Sequence, residues 1–360
     1  MTNGMRIGIL TSGGDCAGLN AVLRAAVHRA ARVGHTILGI KEGTAGLLTR
    51  PLQYEVLSPD QFDGSMIRAG GTILGTTNKG DPFAFPMPDG TTRDRSMEII
   101  GGFRELGIEA LIGIGGDGSF RILKKLCDLG GINLVGIPKT IDNDVSLTEV
   151  AIGFDTAVQV ATEALDRLQP TAASHHRVMV LEVMGRDAGH IALNAGIAGG
   201  ADVILVPEIP ADLNKVADKI EQVRKGGRNF ALVVVSEAVR DATGETIMKK
   251  FADGEIRLGG IGHFVGDQIA KLTGAETRVT VLGHVQRGSM PSWRDRMIAA
   301  AFGSHAVDLI EEGKFGHMVA WSNRQVIDVP IEDAIKNYHS VALDDTLVVT
   351  ARELGICLGD

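Results

Sequence analysis

The sequence predicts an α/β fold of two doubly wound lobes on mostly parallel sheets, and three observations carry that prediction. Short runs rich in β-branched residues alternate with longer amphipathic stretches, the pattern of a parallel sheet flanked by helices. Forty-seven glycines serve the many tight strand-to-helix turns such a chain needs. At 360 residues, 44% of them hydrophobic, the chain can bury a large core and should form two domains or one large α/β unit. It shows no short-period repeat and no low-complexity linker, so ordinary loops must join the lobes.

In chain order the expected strands are 6–10, 36–40, 110–114, 134–137, 178–183, 203–206, 231–235 and 279–282. The first runs into Thr11-Ser12-Gly13-Gly14-Asp15, with a helix expected to start near Gly18. The third runs into Gly113-Ile114-Gly115-Gly116-Asp117-Gly118-Ser119, and Ser119 is placed to cap an amphipathic helix over 120–129. The fourth ends at Pro138, which has no N–H to donate and should stop the ladder there. His175-His176 reads as adjacent strand residues facing opposite ways, a structural pair and not a metal site. The apolar positions of 293–310 fall at helical spacing and predict a core helix.

The 36 basic and 44 acidic residues give a formal charge of −8, which argues against a nucleic-acid or membrane-surface partner. An anionic ligand must then be gripped by a local basic pocket. Cys16, Cys127 and Cys357 are too few and too scattered for a disulfide framework or a cysteine zinc site, so a reducing compartment is expected. No apolar stretch reaches membrane-spanning length and no signal-peptide pattern opens the chain, which predicts a cytoplasmic protein.

The chemistry gathers at strand ends. The loop Pro138-Lys139-Thr140-Ile141-Asp142-Asn143-Asp144 follows a buried strand and is too polar for a simple connection. In open α/β sheets ligands bind at carboxyl ends of strands, so this loop can hold a general base, and Asp142 is the first carboxylate after the strand. Paired glycines in the first loop let backbone N–H groups approach a phosphate, although the run is neither a dinucleotide fingerprint nor a P-loop. Glycines on both sides of Asp117 leave room for polyphosphate against bare backbone. Magnesium prefers one or two carboxylates plus phosphates and waters, which makes Asp117 a candidate ligand. Arginine's planar fork grips phosphate oxygens bidentately, so Arg177, Arg278 and Arg287 are candidates to hold an anionic group.

Together Thr11-Ser12-Gly13-Gly14-Asp15, Gly115-Gly116-Asp117-Gly118-Ser119, Pro138 to Asp144, Glu182-Val183-Met184-Gly185-Arg186 and Leu282-Gly283-His284-Val285-Gln286-Arg287-Gly288 resemble the bacterial A-type 6-phosphofructokinases. The likeness runs from about residue 5 to about residue 324, with five motifs in the family's order. It implies phosphoryl transfer from ATP or pyrophosphate to O1 of fructose 6-phosphate, in a cleft between the lobes. It further implies that Gly14, Asn78, Lys79, Gly116, Asp117, Gly118 and Ser119 meet the donor and that Asp117 holds Mg2+. Asp142, Arg186, Thr140 and Lys139 are the implied catalytic set. The sugar phosphate falls to Thr140, Ile141, Asp142, Arg177, Met184, Gly185 and Arg186, with Glu237, Arg278, His284, Val285, Gln286 and Arg287. The donor lobe is expected over 1–150 plus a returning segment at about 290–335, the sugar lobe over 151–289, and a C-terminal extension over 336–360. Arg177 and Arg278 reach a neighbouring subunit's substrate in the family, implying a homodimer or homotetramer with active sites at subunit interfaces.

The donor determinants disagree. Relatives using ATP carry glycine at the position of Lys139, whereas pyrophosphate users carry lysine there and aspartate at the position of Gly118, so the mixture resembles the mixed-substrate branch. Gly118 leaves space for a nucleotide's α-phosphate, and this favours Mg-ATP. The alternatives are a reversible pyrophosphate-dependent phosphotransferase and, in another class, a catalytically inactive sugar-phosphate sensor. His28 stands where allosteric members place an effector-binding arginine, so their regulation is not carried over.

Overall fold

Each β-branched run becomes a strand, because residues buried on both faces of a sheet must be apolar throughout. The computed structural model describes residues 4–240, 248–250, 256–258 and 260–360. All eight expected strands are present, with ends shifted by one or two residues. The chain divides into two units, Met1–Asp155 with Arg287–Tyr338 and Thr156–Gln286 with His339–Asp360. The segment 336–360 is therefore shared between the units and does not stand apart.

The first unit is built on a seven-stranded sheet in the order Gln325–Pro330, His317–Ser322, Asn133–Pro138, Ala110–Gly115, Arg6–Thr11, Thr36–Ile40, Tyr54–Leu57. The five inner strands pair parallel and only the two edges are antiparallel. Ile7, Ile9, Ile112, Ile114, Val135 and Ile137 have no solvent exposure. Each such side chain contributes about 1.5–3 kcal/mol of apolar burial. On one face Leu19–Val33 packs against Trp293–Glu311. Gly303 permits that approach, since a Cβ there would lie 2.5 Å from the Val22 carbonyl oxygen. The expected core helix is buried through Ile298, Phe302 and Leu309, while Trp293 at its start is 73% exposed.

The second unit carries four parallel strands in the order Thr277–Val281, Val178–Val183, Ala231–Ser236, Val203–Leu205. The C-terminal segment extends its free edge, where Ile204 N–H donates to Cys357 O at 2.9 Å and Cys357 N–H to Asp202 O at 3.0 Å. Leu358, Val348 and Ala351 are buried behind it.

Three local expectations are corrected. Pro138 is the last residue of its strand and leaves the ladder intact: its carbonyl accepts from Ile152 N–H at 3.1 Å, and Lys139 N–H donates to Gly115 O at 3.0 Å. Ser119 is not a cap. The helix Asp117–Gly130 begins two residues earlier on an extended Gly116, which puts Ser119 in its first turn. His175 closes the helix Phe154–His175 and His176 follows at φ +56°, so the pair lies at a helix end and not on a strand.

Candidate active site

Arg6–Thr11, Ala110–Gly115 and Asn133–Pro138 lie side by side and parallel, so the loops leaving their carboxyl ends emerge together. Gly13 sits at φ +82°, in the left-handed region, and its N–H donates to Thr77 O at 3.0 Å. The Thr76 hydroxyl donates to Gly13 O at 2.7 Å and Thr11 Oγ1 to Gly75 O at 2.7 Å. The 75–77 segment thus braces the glycine loop, a role that only the fold could reveal. Asn78 and Lys79 follow as exposed residues, and Lys79 N–H is held by Thr77 Oγ1 at 3.2 Å.

Lys139 departs from its expected role. It is 4% exposed, and its ammonium donates to the Gly14 carbonyl at 2.6 Å, bolting the third loop to the first. Burial pushes its pKa below the usual lysine value, with Cys16 and Arg287 as nearby groups. Arg287 lies with the first loop. Its Nη1 donates to Asp15 O at 2.8 Å, and a Cβ on Gly14 would come within 2.7 Å of that atom, so a side chain there would have to shift the guanidinium.

Asp117 opens its helix half-exposed and stands 3.7 Å from the Arg121 guanidinium. A Cβ on Gly118 would meet nothing within 4 Å, so the space over this turn is open. In the third loop Asp142 N–H donates to Thr140 Oγ1 at 3.1 Å, and Ile141 points into the core. Asn143 holds the left-handed turn at φ +54°, donating to Glu149 O at 3.1 Å and accepting from Ala151 N–H at 2.8 Å. Burial, with the charge of Asp117 and a hydrogen bond from Thr140 as lesser influences of opposite sign, raises the Asp144 carboxyl above its usual range. One buried Asp144 oxygen has no hydrogen-bond partner among the described residues. A buried carboxylate with one oxygen unpartnered, near Asp117 and an open glycine turn, fits a divalent cation shared with phosphate oxygens. Among the described residues no cluster of three or more His, Cys, Asp or Glu could hold a metal alone.

In the second unit Arg186, Glu237 and His284 follow the carboxyl ends of strands, whereas Arg177 and Arg278 lie at the amino ends of the parallel strands Val178–Val183 and Thr277–Val281. The turn after Val178–Val183 places Met184, Gly185 and an exposed Arg186, with Gly185 at φ +138° and its carbonyl accepting from Ser236 Oγ at 2.8 Å. Gln286, expected to touch the sugar phosphate, is buried instead. Its Oε1 accepts from Met184 N–H at 2.7 Å and its Nε2 faces Ala157 O at 3.4 Å, so its side chain pins the Arg186 turn. Val285 and His284 are exposed, and half-buried Glu237 is placed by its N–H bond to Val183 O at 2.9 Å. Arg177 and Arg278 converge on one carboxylate, Glu276, which sequence reasoning missed because an acid between two arginines reads as a solvated surface charge. Arg177 Nη2 lies 2.8 Å from Glu276 Oε1, and Arg278 Nη2 bonds to the same oxygen.

An open glycine turn and an acidic loop at adjacent strand ends, with arginines at the strand ends of a second α/β unit, are the equipment of a phosphoryl-transfer enzyme. The phosphofructokinase family model matches residues 6–310, and the chain belongs to that family. It is 64% identical to ATP-dependent 6-phosphofructokinase 1 of Synechocystis sp., across 99% of this chain and 98% of that one. It is 61% identical to ATP-dependent 6-phosphofructokinase 1 of Nostoc sp. over the full length of both. Its fold matches the phosphofructokinase structure from Saccharomyces cerevisiae with TM-score 0.78 at 29% identity, over 92% of this chain and 45% of that chain. No helix among the described residues is long and apolar enough to cross a membrane.

Proposed function

We infer that this protein phosphorylates D-fructose 6-phosphate at O1 with Mg-ATP, giving D-fructose 1,6-bisphosphate and ADP, the committing step of glycolysis in the cytoplasm. The observation that carries the reading is the framed 140–144 loop beside the open Gly118 turn, within a chain 64% identical to an ATP-dependent 6-phosphofructokinase. An alcohol is a weak nucleophile, so a carboxylate must take its proton as the O–P bond forms. Asp142 accepts that proton from the sugar's 1-hydroxyl, and the Thr140 hydroxyl bonded to its N–H keeps the loop in register. Attack of O1 on the γ-phosphorus breaks the bond to ADP. Arg186 offsets the charge that spreads over the transferring oxygens. Gly14, Gly116 and Ser119 present backbone and hydroxyl groups to the donor, with Asn78 and Lys79 at its edge. Asp117, helped by Asp144, would hold Mg2+, which supplies charge neutralisation across the donor's phosphates. Arg177 and Arg278 take the 6-phosphate, serving a neighbouring subunit in a homodimer or homotetramer, and Glu237 and His284 bond to the sugar.

Lys139, bonded to the Gly14 carbonyl, supports neither donor over the other, and the open Gly118 turn supports ATP over pyrophosphate. Asp142→Asn tests the mechanism. It should lower kcat by a factor of order 10² or more, the loss typical of a missing general base, and leave fructose 6-phosphate binding nearly intact. Near-normal turnover would reject Asp142 as the base.

A further inference from the structure

Two guanidinium groups of like charge share one carboxylate oxygen at the edge of the second unit. Arg177 Nη2 is 2.8 Å from Glu276 Oε1, and Arg278 Nη2 bonds to the same atom. Glu276 and Arg278 are two residues apart at the start of the strand Thr277–Val281, so the alternation of an extended chain turns both to one side. Arg278 is engaged at its other terminal nitrogen as well, because Nη1 donates to Thr277 O at 2.7 Å. Both arginines therefore face back onto their own chain. A doubly charged phosphate needs the same N–H groups, and a carboxylate left among them would be repelled by it.

We propose that Glu276 is the resident counter-ion of the two sugar-phosphate arginines, held in their fork when the site is empty and displaced when the 6-phosphate enters. The proposal rests on the reading above that Arg177 and Arg278 grip that phosphate. Glu276 then acts as a positioning residue that sets the affinity threshold for the substrate. It keeps two like charges paired and ordered at a phosphate site, and it makes weak monoanions poor competitors for the fork. The Arg177 hydrogen bond, foremost, holds the Glu276 carboxyl below its usual range, so the latch stays ionised at neutral pH. Because the pair is half-exposed, its strength is that of a surface ion pair and a phosphate dianion can displace it.

The test is a comparison of Glu276→Gln with Arg278→Ala and with the double variant, measuring fructose 6-phosphate KM, kcat and the binding of inorganic phosphate to the full-length enzyme. Glu276→Gln keeps the shape and removes the charge. Its KM for fructose 6-phosphate should fall about fivefold and inorganic phosphate should bind tighter by a similar factor, the scale of one exposed ion pair, while kcat does not rise in step. In the Arg278→Ala background the same change should have a smaller effect, because one of the two competing contacts is gone. If Glu276→Gln raises or leaves unchanged the KM while Arg278→Ala raises it, the arginines bind substrate and the latch is wrong. If neither Arg278→Ala nor Arg177→Ala moves the KM, the reading of these arginines fails and the latch with it.

Discussion

Asp144 shows how much of this site is settled by single side chains. Its carboxyl is pushed above the ordinary carboxylate range, first by burial and then by the Asp117 charge. A folded-state pKa raised above the unfolded value means that protonation favours the fold. That contribution is complete below the unfolded value of about 4 and is lost as pH rises through the raised one. Above the unfolded value, keeping this carboxyl buried is therefore a cost in the free protein. Asp144→Asn should raise the melting temperature at pH 7.5 in the absence of Mg2+ and give no gain near pH 4, where the native carboxyl is already neutral. Equal melting temperatures at pH 7.5 would remove this account of the acidic pair. Lys139 teaches the same lesson from the other side. Its identity was visible in the sequence, but its partner, the Gly14 carbonyl 125 positions away, was not. Gln286 was misjudged for the same reason, since a polar residue in a binding motif gives no sign that both ends of its amide will be spent on backbone.

At the scale of elements, the eight strands were legible because a buried parallel strand leaves a continuous apolar run, and that signal is local. The antiparallel edges Tyr54–Leu57 and Gln325–Pro330, and the inner strand His317–Ser322, were not predicted. The burial of the edges is partial and their pattern mixed, so no single period dominates. Loop chemistry was legible in residue type and not in contacts: Asp117 and Gly118 were found, while the Thr76 and Thr77 brace depends on a segment more than 60 positions from the loop it holds. The glycine loop gives a direct test of that element. A Cβ at residue 14 would sit 2.7 Å from Arg287 Nη1 and 3.1 Å from its Cζ, so Gly14→Ala must displace the guanidinium. The guanidinium is the far end of a flexible side chain and can shift cheaply, so the fold should hold, and with the loop proposed to meet the donor the KM for ATP should rise more than that for fructose 6-phosphate. Unchanged ATP kinetics would show that the loop does not meet the donor.

For the whole molecule, the division into two units places the proposed donor residues in one and most sugar-phosphate residues in the other, with the C-terminal segment completing the second. Deleting residues 339–360 removes the edge bonds at Cys357 and the buried Leu358, Val348 and Ala351. Each fully buried Leu or Val lost costs about 1.5–3 kcal/mol, so the truncated protein should lose fructose 6-phosphate binding before ATP binding as denaturant is added. Loss of both together would show that the tail supports the entire chain. The central claim is that Mg-ATP is the phosphoryl donor, and Gly118 is where the structure bears on it. Because a Cβ there would meet no protein atom within 4 Å, Gly118→Asp should act on the bound donor more than on the fold, through like charge in a partly desolvated site. The direct measurement is the initial rate of fructose 1,6-bisphosphate formation with ATP and with pyrophosphate, each at saturating donor and magnesium, for the natural protein and Gly118→Asp. The account predicts turnover with ATP, little with pyrophosphate, and loss of most ATP activity in the variant; faster turnover with pyrophosphate than with ATP in the natural protein would contradict it.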